Sequence, residues 1–553
     1  AVLIQSAAMQ IDTLLKDLNS AQQQAVAADP QNQLVLAGAG SGKTRVLVHR
    51  IAWLIQAHSY SPHQILAVTF TNKAAREMKE RLGGLMEDTA GPFSTRSMWV
   101  GTFHGIAHRL LKAHWQEAGL PQGFQILDSD DQLRVVKRIY QQLKLDDSHW
   151  PPKQAQWYIN GQKDEGIRAA HMDESRDPFL VMMKTVYHAY EEACERGGMV
   201  DFAELLLRSH ELWLKNPTLL KHYQMRFRAL LVDEFQDTNA VQYAWLRVLA
   251  GKESNICAVG DDDQSIYGWR GAKIENIQQF EQDFSPVAVT RLEQNYRSTA
   301  TILNAANAVI KNNAERLGKS LWTSGEDGEL IDLYAAFNEQ DEARYIVDRV
   351  KDYIETSGCK NSDCAILYRS NAQSRVLEEA FIRENIPYRI YGGQRFYERL
   401  EIKNALAYLR LLLNRNDDAA WERVINTPTR GIGAKTIETI RLFAREQGTS
   451  LFAATEGAIR NQVFTARASN ALKTFINLIA EMEDAIDGLD MGEVVERVIE
   501  QSGLLDYHQK EKGEKGQARV ENLQELINAC RGFDVEDEDL SPLQAFLDNA
   551  ALD

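Results

Sequence analysis

The fold is decided by the stretch Leu34-Val35-Leu36-Ala37-Gly38-Ala39-Gly40-Ser41-Gly42-Lys43-Thr44. Its apolar first part predicts a buried strand, and its glycines predict a tight turn that leads into a helix. Such a turn lets backbone N–H groups converge on an anion, at which the helix also points its positive end. The stretch therefore indicates a phosphate-binding loop, in which Lys43 reaches the β- and γ-phosphates of a nucleotide and Thr44 contacts Mg²⁺. Because Ala37 stands where the usual pattern has glycine, a glycine-rich turn without a ligand is the alternative.

Length and composition restrict the class of protein. A chain of 553 residues predicts roughly three or four domains. No apolar run approaches the roughly 20 residues of a membrane-spanning helix. Five cysteines without a CxxC pair argue against a zinc site and favour a reducing, cytoplasmic location. The net charge of −16 disfavours a nucleic-acid partner unless cations are concentrated locally, so a DNA-binding hypothesis must name its contacts.

The sequence alternates between α/β and helical character. Residues 1–102 and 228–293 predict one α/β domain, which is interrupted by a helical insertion at 103–227. From about residue 286 the sequence predicts α/β structure again, and from about 398 to 553 it predicts almost only helices. The runs predicted as strands are Leu34–Leu36, Ile65–Phe70, Ala229–Val232, Ile256–Val259, Ile331–Tyr334 and Ala365–Tyr368.

An acidic pair follows another predicted strand. Asp233 and Glu234 come directly after an apolar run. A carboxylate at the C-terminal end of a strand can hold Mg²⁺, and an adjacent one can orient or deprotonate the attacking water. We assign Asp233 to the metal and Glu234 to the base. Taken alone, such a pair could also cap a helix, but the presence of Lys43 in the same chain favours the catalytic interpretation.

Three consecutive acids begin at Asp261, an arrangement that could suggest a calcium-binding loop. The EF-hand pattern requires glycine at its sixth position and glutamate at its twelfth. Those positions hold Ile266 and Ala272, so the sequence excludes this type of calcium site.

The same loop carries side chains suited to a nucleotide and to unpaired bases. Gln264 follows the predicted strand and can bond a γ-phosphate or a water molecule. Tyr267 and Trp269 stand beside Arg270, a combination typical of base stacking, which contributes about 1–3 kcal/mol per base. Aromatic pairs also occur in cores, but the three glycines that flank this loop make it a poor place for one.

These motifs, in this order, resemble those of the superfamily 1A DNA helicases of the UvrD/PcrA/Rep family. The matching segments are Leu18–Gln22, Ala37–Thr44, Thr69–Ala75, Val100–Gly105, Asp233–Thr238, Gly260–Arg270, Leu292–Ser298, Ala365–Arg375 and Gly392–Lys403. The resemblance implies a RecA-like domain 1A (1–102 and 228–293), its helical insertion 1B (103–227), the first part of a RecA-like domain 2A (294–390) and a helical subdomain 2B (391–553).

The resemblance also implies roles for individual residues at the nucleotide site. Gln22 would read adenine, Tyr296 would stack on it, and Arg297 would reach the γ-phosphate as an arginine finger. The implied catalytic residues are Lys43, Asp233, Glu234, Gln264 and Arg297, and the implied metal ligands are Thr44 and Asp233. The implied ATP-binding residues are Gln22, Gly38, Ala39, Gly40, Ser41, Gly42, Lys43, Thr44, Arg45, Tyr296 and Arg297.

A second set of residues is implied on the DNA side. The implied single-strand track consists of Phe70, Asn72, Phe103, His104, Tyr267, Trp269 and Arg270. Gly431, Gly433 and Lys435 would grip the backbone of duplex DNA, since a glycine turn before a helix N-terminus suits a phosphate. Two alternatives stay open: His104 as a buried hydrogen-bonding imidazole, and the glycines as a plain turn between helices.

The implied function is an ATP-dependent 3′→5′ DNA helicase of bacterial DNA repair and replication, with ATP and Mg²⁺ as cofactors. Single-stranded DNA and its junctions with duplex DNA would be the substrates. DNA-repair proteins would be partners, with self-association as a further contact and no membrane. Two other classes are a non-catalytic remnant that binds ATP and single-stranded DNA, and the helicase half of a helicase–nuclease. The intact Lys43, Glu234 and Gln264 argue against the remnant, and the lack of a carboxylate-rich C-terminal domain argues against the nuclease.

The family's later motifs V and VI, of the forms TLHSAKGLEF and RRLAYVGVTRA, do not occur in the sequence. We therefore expect a second RecA-like domain that is only half present, in a C-terminally truncated chain with impaired activity. Loss of a second arginine at the γ-phosphate can cost on the order of 10³-fold in turnover. The expectation is weak binding of ATP·Mg²⁺ and poor unwinding of DNA.

Overall fold

The computed structural model describes residues 12–369, 373–390, 396–511, 514–533, 535 and 539–552. Parts of two of the matched segments, Ala365–Arg375 and Gly392–Lys403, lie outside the described residues. The chain divides into two compact units, one from residues 1–326 and 400–553 and the other from residues 327–399. The first unit contains the phosphate-binding loop.

A parallel sheet of six strands forms the centre of the first unit. The strands of this unit, in chain order, are β1 (Asn32–Ala37), β2 (Ile65–Thr69), β3 (Trp99–Thr102), β4 (Gln125–Leu127), β5 (Met199–Asp201), β6 (Ala229–Val232), β7 (Asn255–Gly260) and β8 (Val287–Leu292). The central sheet has the spatial order β3-β2-β6-β7-β1-β8, while β4 and β5 form a separate parallel pair. The predicted α/β fold is thereby confirmed, with every predicted strand before residue 293 present.

Helices make up most of the remaining chain. In chain order they are α1 (Ser20–Ala27), α2 (Lys43–Ala57), α3 (Asn72–Ala90), α4 (Phe103–Ala113), α5 (Ser129–Gln142), α6 (Pro152–Asp164), α7 (Pro178–Gly197), α8 (Phe202–Lys215), α9 (Pro217–Arg226), α10 (Ala240–Ala250), α11 (Glu275–Asp283), α12 (Ala300–Ile310), α13 (Glu339–Ser357), α14 (Ser374–Arg383), α15 (Leu400–Leu413), α16 (Asp418–Val424), α17 (Ala434–Gln447), α18 (Leu451–Arg460), α19 (Ala466–Ala485), α20 (Met491–Gln501), α21 (Leu504–Gln509), α22 (Glu514–Arg531) and α23 (Pro542–Leu552). Within the described part of the chain, none of them has the length and apolar character needed to cross a membrane.

Both faces of the central sheet are covered, which explains why its strands are almost wholly apolar. Along β1, Leu34 and Leu36 belong to one core, and Val35 and Ala37 belong to the other. Helices α2 and α3 cover one face, and α4, α8, α10 and α11 cover the other. Because all six strands run parallel, the loops that carry the predicted motifs leave the sheet at one edge.

The C-terminal helices pack against the helical insertion through ion pairs. Arg423 of α16 lies 2.9 Å from Asp131 of α5, and both side chains are 3% exposed. Glu422 accepts from Arg138 of α5 at 2.9 Å and from Arg441 of α17 at 2.7 Å. These contacts hold the described residues of 400–552 and the insertion together within the first unit.

The second unit is built mainly from α13 and α14. They pack through Ala343, Val347, Val350, Val376, Ala380 and Phe381. The prediction of strands at Ile331–Tyr334 and Ala365–Tyr368 is wrong, because the structure has no strand there. Leu333 and Leu367 are 97% and 95% exposed. An apolar run does not make a strand by itself, since its backbone N–H and C=O groups need a hydrogen-bonded neighbour.

The helical insertion contains a cluster of buried charges. Lys163 of α6 is 2% exposed, and its ammonium lies 2.7 Å from Asp201 and 2.9 Å from Glu204. Arg168 adds a bidentate contact with Glu204 at 2.7 Å. Burial alone raises the pKa of Glu204, but Lys163 and Arg168 together hold it well below its usual value. Each buried charge therefore depends on its partner.

We expect Lys163→Met to lower the free energy of unfolding by about 3–5 kcal/mol, because Asp201 and Glu204 would stay buried without their ammonium. Denaturant unfolding followed by circular dichroism measures this change. Lys510→Met is the control, because Lys510 is 75% exposed and pairs with Asp506 at 2.7 Å; its loss should cost under about 1 kcal/mol. Equal stability of the two variants would contradict the prediction.

Candidate active site and DNA-binding surface

The phosphate-binding loop connects β1 to α2 and requires glycine at two positions. Gly40 and Gly42 have left-handed backbones, with φ of 64° and 82°. A Cβ at Gly40 would lie 2.6 Å from Asn295 Nδ2, and one at Gly42 would lie 2.6 Å from Gln22 Nε2. Both distances are too short for carbon and nitrogen atoms, so the loop owes its shape to the lack of side chains here.

The rest of the loop leads into the first turn of α2. The Ser41 side chain is buried, and its hydroxyl donates to the Gly38 carbonyl at 2.6 Å. Helix α2 begins at Lys43, and its first turn also carries the half-buried Thr44 and the exposed Arg45. These residues stand where the N-terminus of the helix favours an anion.

Lys43 and Glu234 form an ion pair at the centre of the site. Lys43 Nζ lies 2.5 Å from Glu234 Oε1, and the two side chains are 16% and 32% exposed. The other carboxylate oxygen of Glu234 accepts from Gln236 Nε2 at 2.8 Å. Glu234 has φ of 48°, a left-handed conformation that costs a residue other than glycine on the order of 1–3 kcal/mol. The loops after β1 and β6 therefore meet at this ion pair.

Asp233 lies at the end of β6 and is 6% exposed. Burial raises the pKa of Asp233 to about 6, against the effect of Lys43, and the neighbouring Glu234 raises it further. Burial and Glu234 also raise the pKa of Asp237 to about 6. Lys43 alone therefore does not offset the burial of these two carboxylates. A divalent cation would add positive charge, and the Asp233 carboxylate and the Thr44 hydroxyl are oxygen donors of the kind that Mg²⁺ binds.

Gln22 and Tyr296, the two residues implied to contact adenine, lie on the same side of the loop. Gln22 is 2% exposed; its Nε2 donates to the Ser41 carbonyl at 2.9 Å and its Oε1 accepts from the Asn19 N–H at 3.0 Å. Asn19 Nδ2 in turn donates to the Tyr296 hydroxyl at 2.8 Å. The Tyr296 residue is 58% exposed, so its ring is open to stacking.

The segment after β8 packs directly on the phosphate-binding loop. The Tyr296 N–H donates to the Gly40 carbonyl at 2.9 Å, and the Asn295 side-chain amide donates to the Ala39 carbonyl. Asn295 Oδ1 also accepts from the N–H of Arg297 at 2.8 Å, which brings Arg297 beside the loop. Sequence reasoning did not assign Asn295, although it lies inside a segment that matched the family.

Gln264 is held by a network that joins the loops after β6 and β7. Gln264 Nε2 donates to Asp261 Oδ2 at 2.7 Å, and the Asp261 N–H donates to Gln236 Oε1 at 2.9 Å. Because Gln236 also donates to Glu234, one amide side chain bridges the two loops. Gln236 is 1% exposed and was missed by sequence reasoning, since a glutamine in an acidic run carries no signal of its own.

Exposed aromatic rings follow Gln264 in the same loop. Trp269 is 76% exposed and Tyr267 is 38% exposed. The Arg270 guanidinium carbon lies 4.6 Å from the Trp269 ring centroid and 5.3 Å from that of Tyr267. Large apolar side chains on a surface with a cation over them suit the stacking of unpaired bases.

The residues after β2 and β3 lie next to each other. The Phe70 and Phe103 rings are 5.3 Å apart in an edge-to-face arrangement. Phe103 is 2% exposed and packs on Trp245, so its implied contact with DNA is corrected: the ring supports the surface from within the core. Burial lowers the pKa of His104 to about 4, so its imidazole is neutral near pH 7 and offers hydrogen bonds rather than charge.

The other implied DNA contacts lie near the C-terminal helices. Asn72, at the start of α3, donates its side-chain amide to the Leu552 carbonyl of α23 at 3.1 Å. Gly431, Gly433 and Lys435 are all exposed, and Gly433 caps the start of α17 without a side-chain hydrogen bond. The first backbone N–H groups of α17 therefore have no side-chain cap. A phosphate site and a plain turn between helices are both consistent with this.

A phosphate-binding loop at the C-terminal edge of a parallel sheet, facing an acidic pair on another strand, defines a P-loop nucleotide-binding protein of the RecA-like type. Residues 18–285 match the family described as UvrD/REP helicase N-terminal domain, and residues 290–553 match the UvrD-like helicase C-terminal domain. The chain therefore belongs to the UvrD/Rep helicase family.

Named relatives agree with this assignment. The chain is 58% identical to DNA helicase II of Escherichia coli K12 over 547 residues. The matched region covers 99% of this chain and 75% of the relative. It is 57% identical to DNA helicase II of Salmonella typhimurium, with the same coverage. It is 40% identical over 535 residues to the ATP-dependent DNA helicase PcrA of Staphylococcus aureus, covering 97% of this chain and 72% of the relative.

We expect Gly40→Ala to weaken ATP binding about 5- to 150-fold, since strain of about 1–3 kcal/mol in the loop is released only by distorting it. Titration with a fluorescent ATP analogue measures the affinity. Gly84→Ala is the matched control, because no atom lies within 4 Å of a Cβ at this position of α3. Unchanged affinity in the Gly40 variant would show that the loop does not bind the phosphates.

Proposed function

We propose that this chain is an ATP-dependent DNA helicase and translocase that moves 3′→5′ along single-stranded DNA in bacterial repair and replication. One observation carries the proposal: a single loop joins the nucleotide site to exposed aromatic rings. Gln264, at its start, is bonded into the network around Glu234, and Trp269 lies a few residues later on the surface. The names of the relatives, DNA helicase II and ATP-dependent DNA helicase PcrA, support this function, and the polarity is taken from the family resemblance.

Exchange of one ion pair would start hydrolysis. Before nucleotide binds, the Lys43 ammonium is neutralised by Glu234. The phosphates of ATP compete for Lys43, and the Glu234 carboxylate is then free to orient and deprotonate a water molecule. Gln236 donates to the other oxygen of this carboxylate and would help to keep it oriented. Gln264 would bond the γ-phosphate or the water, and Arg297 would stabilise the charge that develops on the phosphate.

The remaining contacts orient the nucleotide. Tyr296 would stack on adenine, and each end of the Gln22 amide keeps one free hydrogen-bonding position for the base after its bonds to Ser41 and Asn19. Thr44 and Asp233 would hold Mg²⁺, which offsets the negative charge of the β- and γ-phosphates when it is bound.

Single-stranded DNA would cross the surface formed by the loops after β2, β3 and β7. Trp269 and Tyr267 would stack on successive bases, with Arg270 close to both rings. Phe70, His104 and Asn72 would continue the track, and the open N-terminus of α17 would contact the duplex. Because the chain carries a net charge of −16, we assign most of the affinity to stacking rather than to phosphate contacts. DNA-repair proteins and a second copy of the chain are proposed as protein partners.

Lys43→Ala should lower DNA-stimulated ATP hydrolysis at least about 100-fold, because an ammonium aimed at the transferred phosphate is lost. Glu234→Gln should lower it by about 10²–10⁴-fold while ATP still binds, because only the base is removed. A coupled phosphate-release assay with and without oligo(dT) measures both. Lys473→Ala, on an exposed face of α19, is the control. Hydrolysis that persists in the Lys43 variant would refute the site, and a wild type that binds but never hydrolyses would favour the non-catalytic alternative.

Trp269→Ala should weaken binding of single-stranded DNA about 5- to 150-fold, the equivalent of one lost stacking contact. Fluorescence anisotropy with labelled oligo(dT) and oligo(dA) measures the affinity, and the loss should be similar for both. The exposed aromatic Tyr507 of α21 provides the control, since Tyr507→Ala should leave the affinity unchanged. Equal losses in the two variants would argue against a track at Trp269.

The expectation of impaired activity for the polypeptide of 553 residues stays a prediction. Steady-state hydrolysis and a strand-displacement assay on a duplex with a 3′ tail measure it directly. Rapid unwinding would contradict it without affecting the assignment of the nucleotide site, which the Lys43 variant tests separately.

A further inference from the structure

A buried lysine lies among the three consecutive acids of the loop after β7. Lys319 is 6% exposed, and its ammonium contacts Asp261, lies 3.4 Å from Asp262 and lies 3.1 Å from Asp263. Burial lowers the pKa of Lys319, but the three carboxylates together raise it above its usual value, so the ammonium stays charged. The charge of this acidic cluster is thus balanced from within the protein.

The segment around Lys319 is fixed to the same acids by further contacts. Arg316 forms a bidentate ion pair with Asp263 at 2.8 and 2.6 Å. The backbone N–H of Leu317 donates to Asp262 Oδ2 at 2.6 Å. The segment from Arg316 to Lys319 therefore contacts all three acids and fixes the start of the loop after β7.

Asp261 connects these ion pairs to the nucleotide site. Its Oδ1 contacts the Lys319 ammonium, and its Oδ2 accepts from Gln264 Nε2 at 2.7 Å. A carboxylate with one oxygen fixed by a buried cation presents the other in one orientation, which restricts the rotamer of Gln264. The Gln264 side chain is thus positioned through two successive contacts.

The other end of the segment reaches the phosphate-binding loop. The Trp322 N–H donates to the Glu293 carbonyl at 3.1 Å, and the Asn295 N–H donates to the Trp322 carbonyl at 2.7 Å. Asn295 in turn donates to the Ala39 carbonyl of the loop. Residues 316–322 therefore link the loop after β7 to the segment that carries Tyr296 and Arg297.

We propose that Lys319 is a positioning residue, which fixes Asp261 so that Gln264 is oriented toward the γ-phosphate, and that residues 316–322 couple the exposed aromatic loop to the nucleotide site. This inference rests on the proposed function, because it assigns Gln264 to the hydrolysis of ATP. Removal of the ammonium should disturb turnover more than binding, since Lys319 itself lies behind Asp261 and is buried.

A double-mutant cycle between Lys319→Met and Gln264→Ala tests the proposal. In the wild-type background, Lys319→Met should lower the DNA-stimulated kcat about tenfold or more, while the Kd values for a non-hydrolysable ATP analogue and for oligo(dT) change less than about twofold. In the Gln264→Ala background, the same substitution should lower kcat no further. Equal losses in both backgrounds would overturn the positioning role. A wild type without DNA-stimulated hydrolysis would overturn the proposed function as well, so the two failures are distinguishable.

A second variant addresses folding, because Lys319→Met leaves three carboxylates without their ammonium. Asp262→Asn with Lys319→Met removes one of these charges and changes neither Asp261 nor Gln264; its kcat should be as low as that of Lys319→Met. Restored turnover would overturn the inference. Failure of both variants to fold, judged by circular dichroism, would also overturn it and assign Lys319 to stability alone. Lys510→Met is the matched control and should keep wild-type kcat.

Discussion

The six parallel strands of the central sheet all end at the same edge, and the loops that follow them meet there. This constraint brings Lys43, Glu234 and Gln264 together from three separate parts of the chain. It also places the exposed aromatic rings beside the nucleotide site, because they belong to the loop that carries Gln264. The sheet thus positions both the proposed nucleotide site and the proposed DNA-binding surface. The helices mainly cover the two faces of the sheet.

Two acidic clusters at this edge differ in how their charge is balanced. Asp261 and its two neighbours face Lys319 and Arg316, and the pKa of Asp263 is lowered despite its burial. Asp233 shares Lys43 with Glu234, and burial raises its pKa to about 6. The first cluster is complete without a ligand and serves to hold structure. In the second, a single ammonium serves two carboxylates, and a metal–nucleotide complex would add further positive charge.

Much of the candidate site could be predicted because it is encoded locally. The phosphate-binding loop and the Asp233–Glu234 pair each follow an apolar run directly, so the type and spacing of neighbouring residues are enough to recognise them. Contacts made only by tertiary packing could not be predicted: a lysine such as Lys319 looks like any surface lysine in the sequence. Phe103 shows the converse, since its aromatic type suited DNA but its place after β3 points it into the core. The strand predicted at Ile331–Tyr334 failed because strand pairing is also tertiary.

Glu234 keeps a left-handed backbone although it is not glycine. Asparagine or glycine would adopt that conformation with less strain, but neither could act as a base. At this position, the residue that would lower the backbone strain could not perform the proposed proton transfer. If Glu234 acts as the proposed base, selection for thermal stability alone would favour a protein that binds nucleotide and does not hydrolyse it. This conflict could be used to trap a nucleotide-loaded form of the chain. Asparagine at position 234 would remove the proposed base and would also lower the backbone strain.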